Sequence, residues 1–355
     1  VERLKQRVII LFGGRSAEHE VSVQSAVSVI SAIDEKEFVP IPVGITKRGR
    51  WIAGVDPRAM LARNESAVVE PEGEVGVGPI VEILMQGDVV FPVLHGPYGE
   101  DGSIQGLLEI LDIPYVGSGV MSSALGMDKI LQKTICKQLG IPVVDFVWFT
   151  DHSYALEPDR HHHNIAERLG FPCFVKPANM GSSVGINKAV DNDALAHFIE
   201  VAFKYDRKVI VEQQAKGREI ECSVLGNEQP RASLPGEVVP NADFYSYTAK
   251  YEEPSTLYIP ANLTPQQVRQ VQELSLRVYQ ALDCSGLARV DFFLTPTGQI
   301  YVNELNTMPG FTNISMYPKM WEATGTSYPK LISELIFLAR AKHSEKRRIS
   351  VNYRE

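Results

Sequence analysis

Residues 286–310 read GLARVDFFLTPTGQIYVNELNTMPG, and the fold is read outward from them. The stretch has the form of a strand, a tight turn and a returning strand. Thr295-Pro296-Thr297-Gly298 places Pro and Gly where a type I turn favours them. A two-residue hairpin closed by that turn sets Thr295 opposite Gly298, Asp291 opposite Val302 and Arg289 opposite Glu304. Side chains alternate along a strand, so Arg289, Asp291, Glu304 and Asn306 are expected on one face. Val290, Phe292, Ile300, Val302 and Leu305 are expected on the other, as core. Two carboxylates, a carboxamide and a guanidinium then converge, and hard oxygen donors of this kind suit Mg²⁺ held against phosphates. The plainer reading is a surface hairpin with ordinary charges. It competes poorly, because it leaves an unusually acidic stripe that no metal neutralises.

The chain has 355 residues, 44% of them hydrophobic, enough for two or three domains with real cores. A net charge of -8, with 8% aromatic content and no basic run interleaved with aromatics, argues against a general nucleic-acid binder. The basic run KHSEKRRIS (342–350) reads as a short solvated tail. No apolar run reaches the length of a membrane span. The opening VERLKQRVIILFGG reads as a buried strand rather than a secretion signal, and a start at Val1 suggests trimming. Cys136, Cys173, Cys222 and Cys284 are scattered through apolar segments without CxxC spacing. Reduced thiols in a cytoplasmic protein are the natural expectation.

Along the chain, RVIILFGG (7–14) reads as a strand followed by a helix from about Ser16 to Ala32, with further strands near 38–45 and 88–94. This alternation predicts a parallel α/β domain. Its binding crevice should lie at the carboxyl ends of the strands, where GGRSAEHE, HGPYGEDGS and VGSG fall. Residues 122–140 predict one helix, ended by Gly140 and Pro142. The stretch 143–170 is mixed and polar, a plausible boundary. FPCFVKPANMGSSVGINKAV predicts strand, Gly/Ser-rich loop and strand. A helix near 191–205 leads into the strand VIVEQQA, and helices are expected over Thr264–Leu282 and 327–342. Residues 236–262 lack periodicity, and a loop that long is usually functional.

In Lys176-Pro-Ala-Asn-Met-Gly181-Ser182-Ser183-Val-Gly185, glycines let backbone N–H groups approach an anion and serines add donors. The loop is neither a Walker A nor a Rossmann fingerprint, and by itself it could be an ordinary mobile hairpin. Lys176 before it and Glu212 on a later strand strengthen a nucleotide reading. His19-Glu20 lacks the second His of a zincin. His161-His162-His163, in a polar loop, cannot all face one ion and are expected to be solvated. No nucleophilic Ser/His/Asp or Cys/His arrangement emerges.

GGRSAEHEVS, HGPYGEDGSIQG, MDK, VKPANMGSSVG, VIVEQ, GREIEC, DFYSYTAKY, ARVDFFL and NELNTMPGFTNISMYP occur in that order between about residues 7 and 340. Together they closely resemble the D-alanine–D-alanine ligase family of ATP-grasp enzymes. The resemblance implies an α/β ATP-grasp fold: an N-terminal parallel α/β domain (1–125) and two α+β domains (126–215 and 216–355) clamping ATP. It implies that ATP phosphorylates one D-alanine, that a second D-alanine attacks the acylphosphate, and that a tetrahedral intermediate collapses to dipeptide for peptidoglycan synthesis. Such chemistry needs no enzyme nucleophile.

By the same resemblance Glu18 binds the ammonium of the first D-alanine, although an acid at a helix N-terminus is also favoured by the dipole. His95 lies near that substrate. Lys129, Lys176 and Lys250 contact ATP phosphates, with Ser183 in the loop beside them; Glu212 takes the adenine amino group and Glu219 the ribose. Asp291, Glu304 and Asn306 hold Mg²⁺, two ions or Mn²⁺ in their place. Arg289 and the N–H of Gly310 stabilise the oxyanion. Ser315 anchors the second D-alanine, with Met316 shaping its pocket. Tyr251, in a lid over Tyr245–Tyr258, bonds toward Ser182 and through it Glu18, excluding water. Asn179-Met180, where the loop varies, are expected not to affect phosphate contact. A homodimer and K⁺ activation are further implications.

Three rivals stand beside this reading. A ligase forming D-alanyl-D-lactate or D-alanyl-D-serine is disfavoured by Tyr251, an ATP-grasp enzyme with other substrates by the completeness of the motifs, and a non-catalytic nucleotide binder by the intact Arg289 and metal ligands.

Overall fold

The computed structural model describes residues 4–58, 77–239 and 255–350. Lys250, Tyr251 and most of the segment 56–80 lie outside the described residues. The described strands form three sheets, each drawn from one contiguous part of the chain.

The first sheet has the order β3-β2-β1-β4, from β1 (Gln6–Gly13), β2 (Phe38–Ile45), β3 (Trp51–Ala53) and β4 (Val89–Pro92). Helices α1 (His19–Ala32), α2 (Val77–Leu84) and α3 (Ser103–Ile110) accompany it. β1 runs parallel to β2 and β4, while β3 is antiparallel. Val8 through Phe12 are all fully buried, as a central parallel strand covered on both faces requires. Because β1 sits between β2 and β4, chain order reverses there, and the loops after β1 and β4 flank the crevice.

The single helix expected over 122–140 is two, α4 (Val120–Met127) and α5 (Lys129–Gln138). Asp128 breaks them: its backbone is extended, and its carboxylate accepts from Ile130 N and Leu131 N. A side chain that caps the next helix competes with continuing the previous one.

The middle sheet, in the order β5-β8-β6-β7 and wholly antiparallel, holds β5 (Phe146–Thr150), β6 (Cys173–Pro177), β7 (Asn187–Ala189) and β8 (Lys208–Gln213). The polar stretch 143–170 is more structured than expected: beyond β5 it supplies α6 (Asp151–Leu156) and α7 (Pro158–Arg168), and α8 (Asn192–Phe203) follows. The three histidines therefore lie on a helix, not in a loop. The His161 ring packs on Phe149 with centroids 4.7 Å apart, and His162 Nε2 is 2.8 Å from the Tyr154 hydroxyl. Only His163 of the three is exposed.

The third sheet runs β12-β11-β9-β13-β14, with β10 on β9. Its strands are β9 (Arg218–Gly226), β10 (Arg231–Ala232), β11 (Gly236–Val239), β12 (Thr256–Tyr258), β13 (Gly286–Leu294) and β14 (Ile300–Asn306). The two ends of the aperiodic stretch 236–262 are thus paired strands, with Val238 opposite Leu257. Helix α9 (Pro265–Ala281) begins at a reciprocal Thr264–Gln267 cap with proline in its first turn.

The hairpin register differs from expectation in two compensating ways. Thr295 N donates to Gln299 O, and Gly298 N to Thr295 O, both at 2.9 Å. The loop therefore has three residues and ends on Gly298 at φ +85°, a left-handed position that suits glycine. Leu294 faces Ile300 and Phe292 faces Val302; beyond a bulge at Asn303, Asp291 faces Glu304 and Arg289 faces Asn306. Strict alternation would have put Glu304 and Asn306 on the same side as Ile300 and Val302. The extra residue reverses the parity, burying Leu305 and turning Glu304 and Asn306 to the face of Asp291.

The chain closes with α10 (Met316–Ala323) and α11 (Tyr328–Lys346). Leu331, Leu335 and Ile336 share one core with Val8, Phe12 and Phe91 of the first sheet, so the end of the chain packs against its beginning. The basic run expected as a solvated tail instead finishes α11 and docks on an acidic corner. His343 Nε2 lies 2.8 Å from Asp112 Oδ1 and Arg347 Nη2 2.7 Å from Asp112 Oδ2, while Lys346 pairs with Glu109. All four cysteines are free and buried. Among the described residues no helix is long and apolar enough to cross a membrane.

Candidate active site

Glu18 stands at the start of α1, where the loop after β1 turns into the helix. Ser182 donates its hydroxyl hydrogen bond to Glu18 Oε1, joining the first sheet to the Gly/Ser loop between β6 and β7. The carboxylate is wedged between two glycines. A Cβ at Gly96 would lie 2.8 Å from Glu18 Oε2, and one at Gly181 would lie 2.9 Å from it. Both are contacts that a real Cβ does not tolerate.

His95, in the loop after β4, is buried. Its Nδ1 lies 3.0 Å from Met308 O and its Nε2 3.0 Å from Ser25 Oγ. Donation from Nδ1–H to that carbonyl leaves Nε2 as the acceptor in the neutral tautomer. His95 thus ties the first sheet to the segment leaving β14. Glu100 Oε1 is 3.7 Å from His95 Nδ1. Burial pushes the Glu100 carboxyl up to about 7, with His95 drawing it back and the charge of Glu18 adding to the rise. For His95 burial acts downward, but Glu100 and Glu18 outweigh it, so its net shift is upward.

Across the cleft, Arg289 donates through Nε and Nη2 to the two oxygens of Asp291, each at 2.7 Å, and its Nε lies 3.0 Å from Glu221 Oε2. Glu221 reaches it because β9 pairs with β13 in a register that sets Glu221 beside Asp291. Burial opposes the Arg289 charge, but Asp291 and Glu221 more than offset it, and the guanidinium is held firmly protonated. Asn306 Nδ2 donates to Asp291 Oδ2 at 3.0 Å. The bulged hairpin therefore brings Arg289, Asp291, Glu304 and Asn306 to one face, as the sequence suggested, although through different partners.

Lys129 caps this acidic face. Its Nζ is 3.3 Å from Glu304 Oε2 and donates to Met180 O at 2.7 Å. Deeper in, Lys176 Nζ donates to Glu212 Oε2 at 2.7 Å and lies 3.5 Å from Asn303 Oδ1. Glu219 stands on β9 opposite Phe293, close enough for its charge to favour protonated Lys176. Ser182 and Ser183 take positive φ of 50° and 58°, and the base of their loop is pinned by Asp206 Oδ2, which accepts both Asn179 N and Asn179 Nδ2 at 2.8 Å. Asn179 and Met180 are thus structural supports of the loop, a role the sequence did not suggest.

Ser315 precedes α10, and its Oγ lies 2.7 Å from Thr312 Oγ1 and accepts from Thr312 N at 3.1 Å. Gly310 sits against it, since a Cβ there would be 3.2 Å from Ser315 Oγ. Met316 is buried with Val238, Met320 and Ile259, so it acts by packing. His19 is buried, with Nδ1 2.9 Å from Gly14 O, a structural role consistent with rejecting a zincin.

Sequence reasoning missed Glu100, Glu221, Lys133 and Asp206. Two carried a readable signal. Lys133 is one helical turn from Lys129, and Glu221 is two strand residues from Glu219. Among the described residues no three His, Cys, Asp or Glu side chains form a cage able to hold a metal alone. The donor set at hand for Mg²⁺ is Asp291, Glu304 and Asn306, and Mg²⁺ takes one or two carboxylates and completes its octahedron with waters and phosphate oxygens.

Comparison with known proteins identifies the family. The family model described as D-ala D-ala ligase N-terminus matches residues 7–118, and that described as D-ala D-ala ligase C-terminus matches residues 135–337. The D-alanine--D-alanine ligase of Thermoanaerobacter sp. (strain X514) is 48% identical, over 96% of this chain and 98% of that protein. The ligase of Bacillus cytotoxicus is 45% identical, over 97% and 98% respectively. The solved D-alanine-D-alanine ligase from Coxiella burnetii superposes with a TM-score of 0.84 at 37% identity, covering 97% of this chain and 98% of that one. VanG D-Ala:D-Ser ligase from Enterococcus faecalis gives 0.84 at 36%, covering 95% and 100%. With its sheets arranged as an ATP-grasp fold, its cleft lined as described and relatives matched over nearly their full length, this chain belongs to the D-alanine–D-alanine ligase family.

Proposed function

We propose that this chain uses ATP to join two D-alanines into D-alanyl-D-alanine for peptidoglycan synthesis, and that its cleft divides the work as follows. A carboxylate oxygen of the first D-alanine attacks the γ-phosphorus of ATP, and ADP leaves. The amine of the second D-alanine attacks the acyl carbon, forming the C–N bond. The tetrahedral intermediate collapses by breaking the C–O bond to phosphate.

Glu18, fixed by Ser182 and seated between Gly96 and Gly181, receives the first ammonium. His95, supported by Glu100, shapes that pocket. Lys129 and Lys176 hold phosphates, with Ser183 in the loop that covers them. Glu212 accepts from adenine, and Glu219 from the ribose. Arg289 and Gly310 N–H face the oxyanion, and Ser315 receives the second carboxylate, with Met316 supporting that pocket from behind. Asp291, Glu304 and Asn306 would hold Mg²⁺, or Mn²⁺ in its place. When bound, the ion neutralises charge on the phosphates. Lys250 and Tyr251 complete the reading as lid residues.

The division at 1–125, 126–215 and 216–355, a cytoplasmic homodimer and activation by K⁺ belong to the same proposal. Its strongest support is the meeting of Glu18 and Ser182, residues 164 positions apart, in a cleft that also holds Arg289 and Asp291. The test is phosphate release with Mg-ATP and D-alanine alone, then with added D-lactate or D-serine, identifying products by mass. Dipeptide of D-alanine alone is expected as the main product. Abundant D-alanyl-D-serine or D-alanyl-D-lactate would overturn the choice of second substrate.

A further inference from the structure

Lys133 enters the site from α5, one turn beyond Lys129, and is 1% exposed. Its Nζ lies 3.2 Å from Glu212 Oε1, while Lys176, from β6, holds the other oxygen at 2.7 Å. The Glu212 carboxylate is thus bracketed by two cations on different elements. The Lys133 contact is close but poorly aligned: it falls short of good hydrogen-bond geometry at both Lys133 Nζ and Glu212 Oε1, and it acts on Glu212 more through charge than through a hydrogen bond. Buried polar atoms are nearly always satisfied, so an orphaned acceptor held in place by charge points to a donor supplied by a ligand.

Resting on the assignment of Glu212 to the adenine edge, we propose that Lys133 is a positioning residue for base selection. With Lys176 it holds the Glu212 carboxylate so that Oε1 stays turned toward the 6-amino group of adenine, and 6-oxo purine triphosphates are refused. A carboxylate can only accept hydrogen bonds. Adenine offers an N–H donor at C6, whereas a 6-oxo purine sets a carbonyl oxygen against the carboxylate. Lys176 alone can neutralise Glu212, although it also faces the charges of Glu304 and Glu219. What Lys133 adds is a fixed direction for Oε1. The other charged groups felt by the two lysines, Glu304 on β14 and Glu219 on β9, are acidic. They favour protonated lysines and offer Glu212 no alternative partner, although burial and the neighbouring Lys176 charge still leave the Lys133 ammonium below its ordinary range. Burial works against the Glu212 charge, yet the two lysines keep its carboxyl below the usual range.

The test compares ATP with ITP in the full-length chain, with kcat and KM measured separately for wild type, Lys133→Met, Lys133→Gln, Glu212→Gln and the double variant Lys133→Met/Glu212→Gln. Glu212→Gln, whose amide can donate, should shrink the preference for ATP. Lys133→Met should shrink it by roughly tenfold, mainly through KM for ATP, and should add little in the Glu212→Gln background. If Lys133→Met does not fold, Lys133→Gln carries the same comparison. A wild-type ATP to ITP ratio in the Lys133 variants, with a reduced ratio in Glu212→Gln, would overturn the role of Lys133 alone. An unchanged ratio in Glu212→Gln would overturn the adenine assignment beneath it.

Discussion

Replacing Gly181 with alanine probes the seat of Glu18 with little threat to the fold. The new Cβ would lie 2.9 Å from Glu18 Oε2. An ordinary contact is longer, so the carboxylate must retreat by roughly half an ångström. Gly181 is not at positive φ, so alanine brings no left-handed strain, and the group that gives way is the tip of a side chain. A stiffer unfolded chain contributes about 0.4–1 kcal/mol in favour of the variant, which offsets the crowding. The melting temperature should therefore move by only a few degrees. Catalysis should suffer far more. A displaced Glu18 loses alignment with Ser182, and a hydrogen bond to a charged group is worth about 1.5–3 kcal/mol. On that scale kcat/KM for D-alanine falls about 10- to 150-fold, while KM for ATP stays within about twofold. The assay is ADP release with each substrate titrated separately, beside a thermal melt. A kcat/KM for D-alanine within twofold of wild type, or a loss confined to ATP, would refute the reasoning. Gly96→Ala is the instructive contrast. It crowds the same oxygen at 2.8 Å but from a residue at φ +75°, so it should also lose about 1–2 kcal/mol of stability.

Arg289→Ala should lower turnover by about 10²–10³ while leaving ATP binding largely intact, and an unchanged turnover number would remove Arg289 from the oxyanion. It also strips the partly buried Asp291 and Glu221 carboxylates of their cation, a loss of at most about 3–5 kcal/mol that Arg289→Lys should mostly spare in a denaturant titration. Glu100, raised from 4.5 to about 7, holds in the folded state a proton that the unfolded chain releases. Its contribution is full below about pH 4.5 and is lost as pH climbs through about 7, up to about 3 kcal/mol. Glu100→Gln should flatten that slope in melts from pH 4.5 to 8, and equal slopes in both proteins would contradict it. Asp206→Ala removes the acceptor of both Asn179 bonds and should raise KM for ATP roughly tenfold, with protease cleavage within 179–185 reporting the loosened loop; unchanged KM and cleavage would rule out the anchor.

Much of the cleft was legible because its parts are local patterns. A continuous apolar run followed by Gly13-Gly14 announces β1 and its crevice, and Thr264 before Pro265 announces α9. What sequence could not supply were the relations between distant segments. The hairpin shows the limit well: turn chemistry chose a two-residue loop, whereas the chain uses three residues ending on Gly298 and then a bulge at Asn303. The parity conflict between Val302 and Leu305, both apolar and three apart, was the visible trace of that bulge. The basic C-terminal run looked solvated because its partners, Asp112 and Glu109, lie more than two hundred residues earlier. Glu100 gave no signal in the sequence, since only the tertiary fold sets it beside His95. Asp128 interrupts a helical pattern that apolar spacing alone reads as continuous, because a cap competes with a helix through one side chain.

The most direct measurement follows oxygen. D-Alanine carrying ¹⁸O in both carboxylate oxygens is turned over with Mg-ATP, and the released phosphate and dipeptide are weighed by mass spectrometry. A carboxylate that attacks the γ-phosphorus leaves one of its oxygens on the phosphate when the amine displaces it. One ¹⁸O per phosphate, matched mole for mole to dipeptide, is the predicted result. Dipeptide formed alongside phosphate that carries no ¹⁸O would contradict carboxylate phosphorylation and the cleft chemistry built on it.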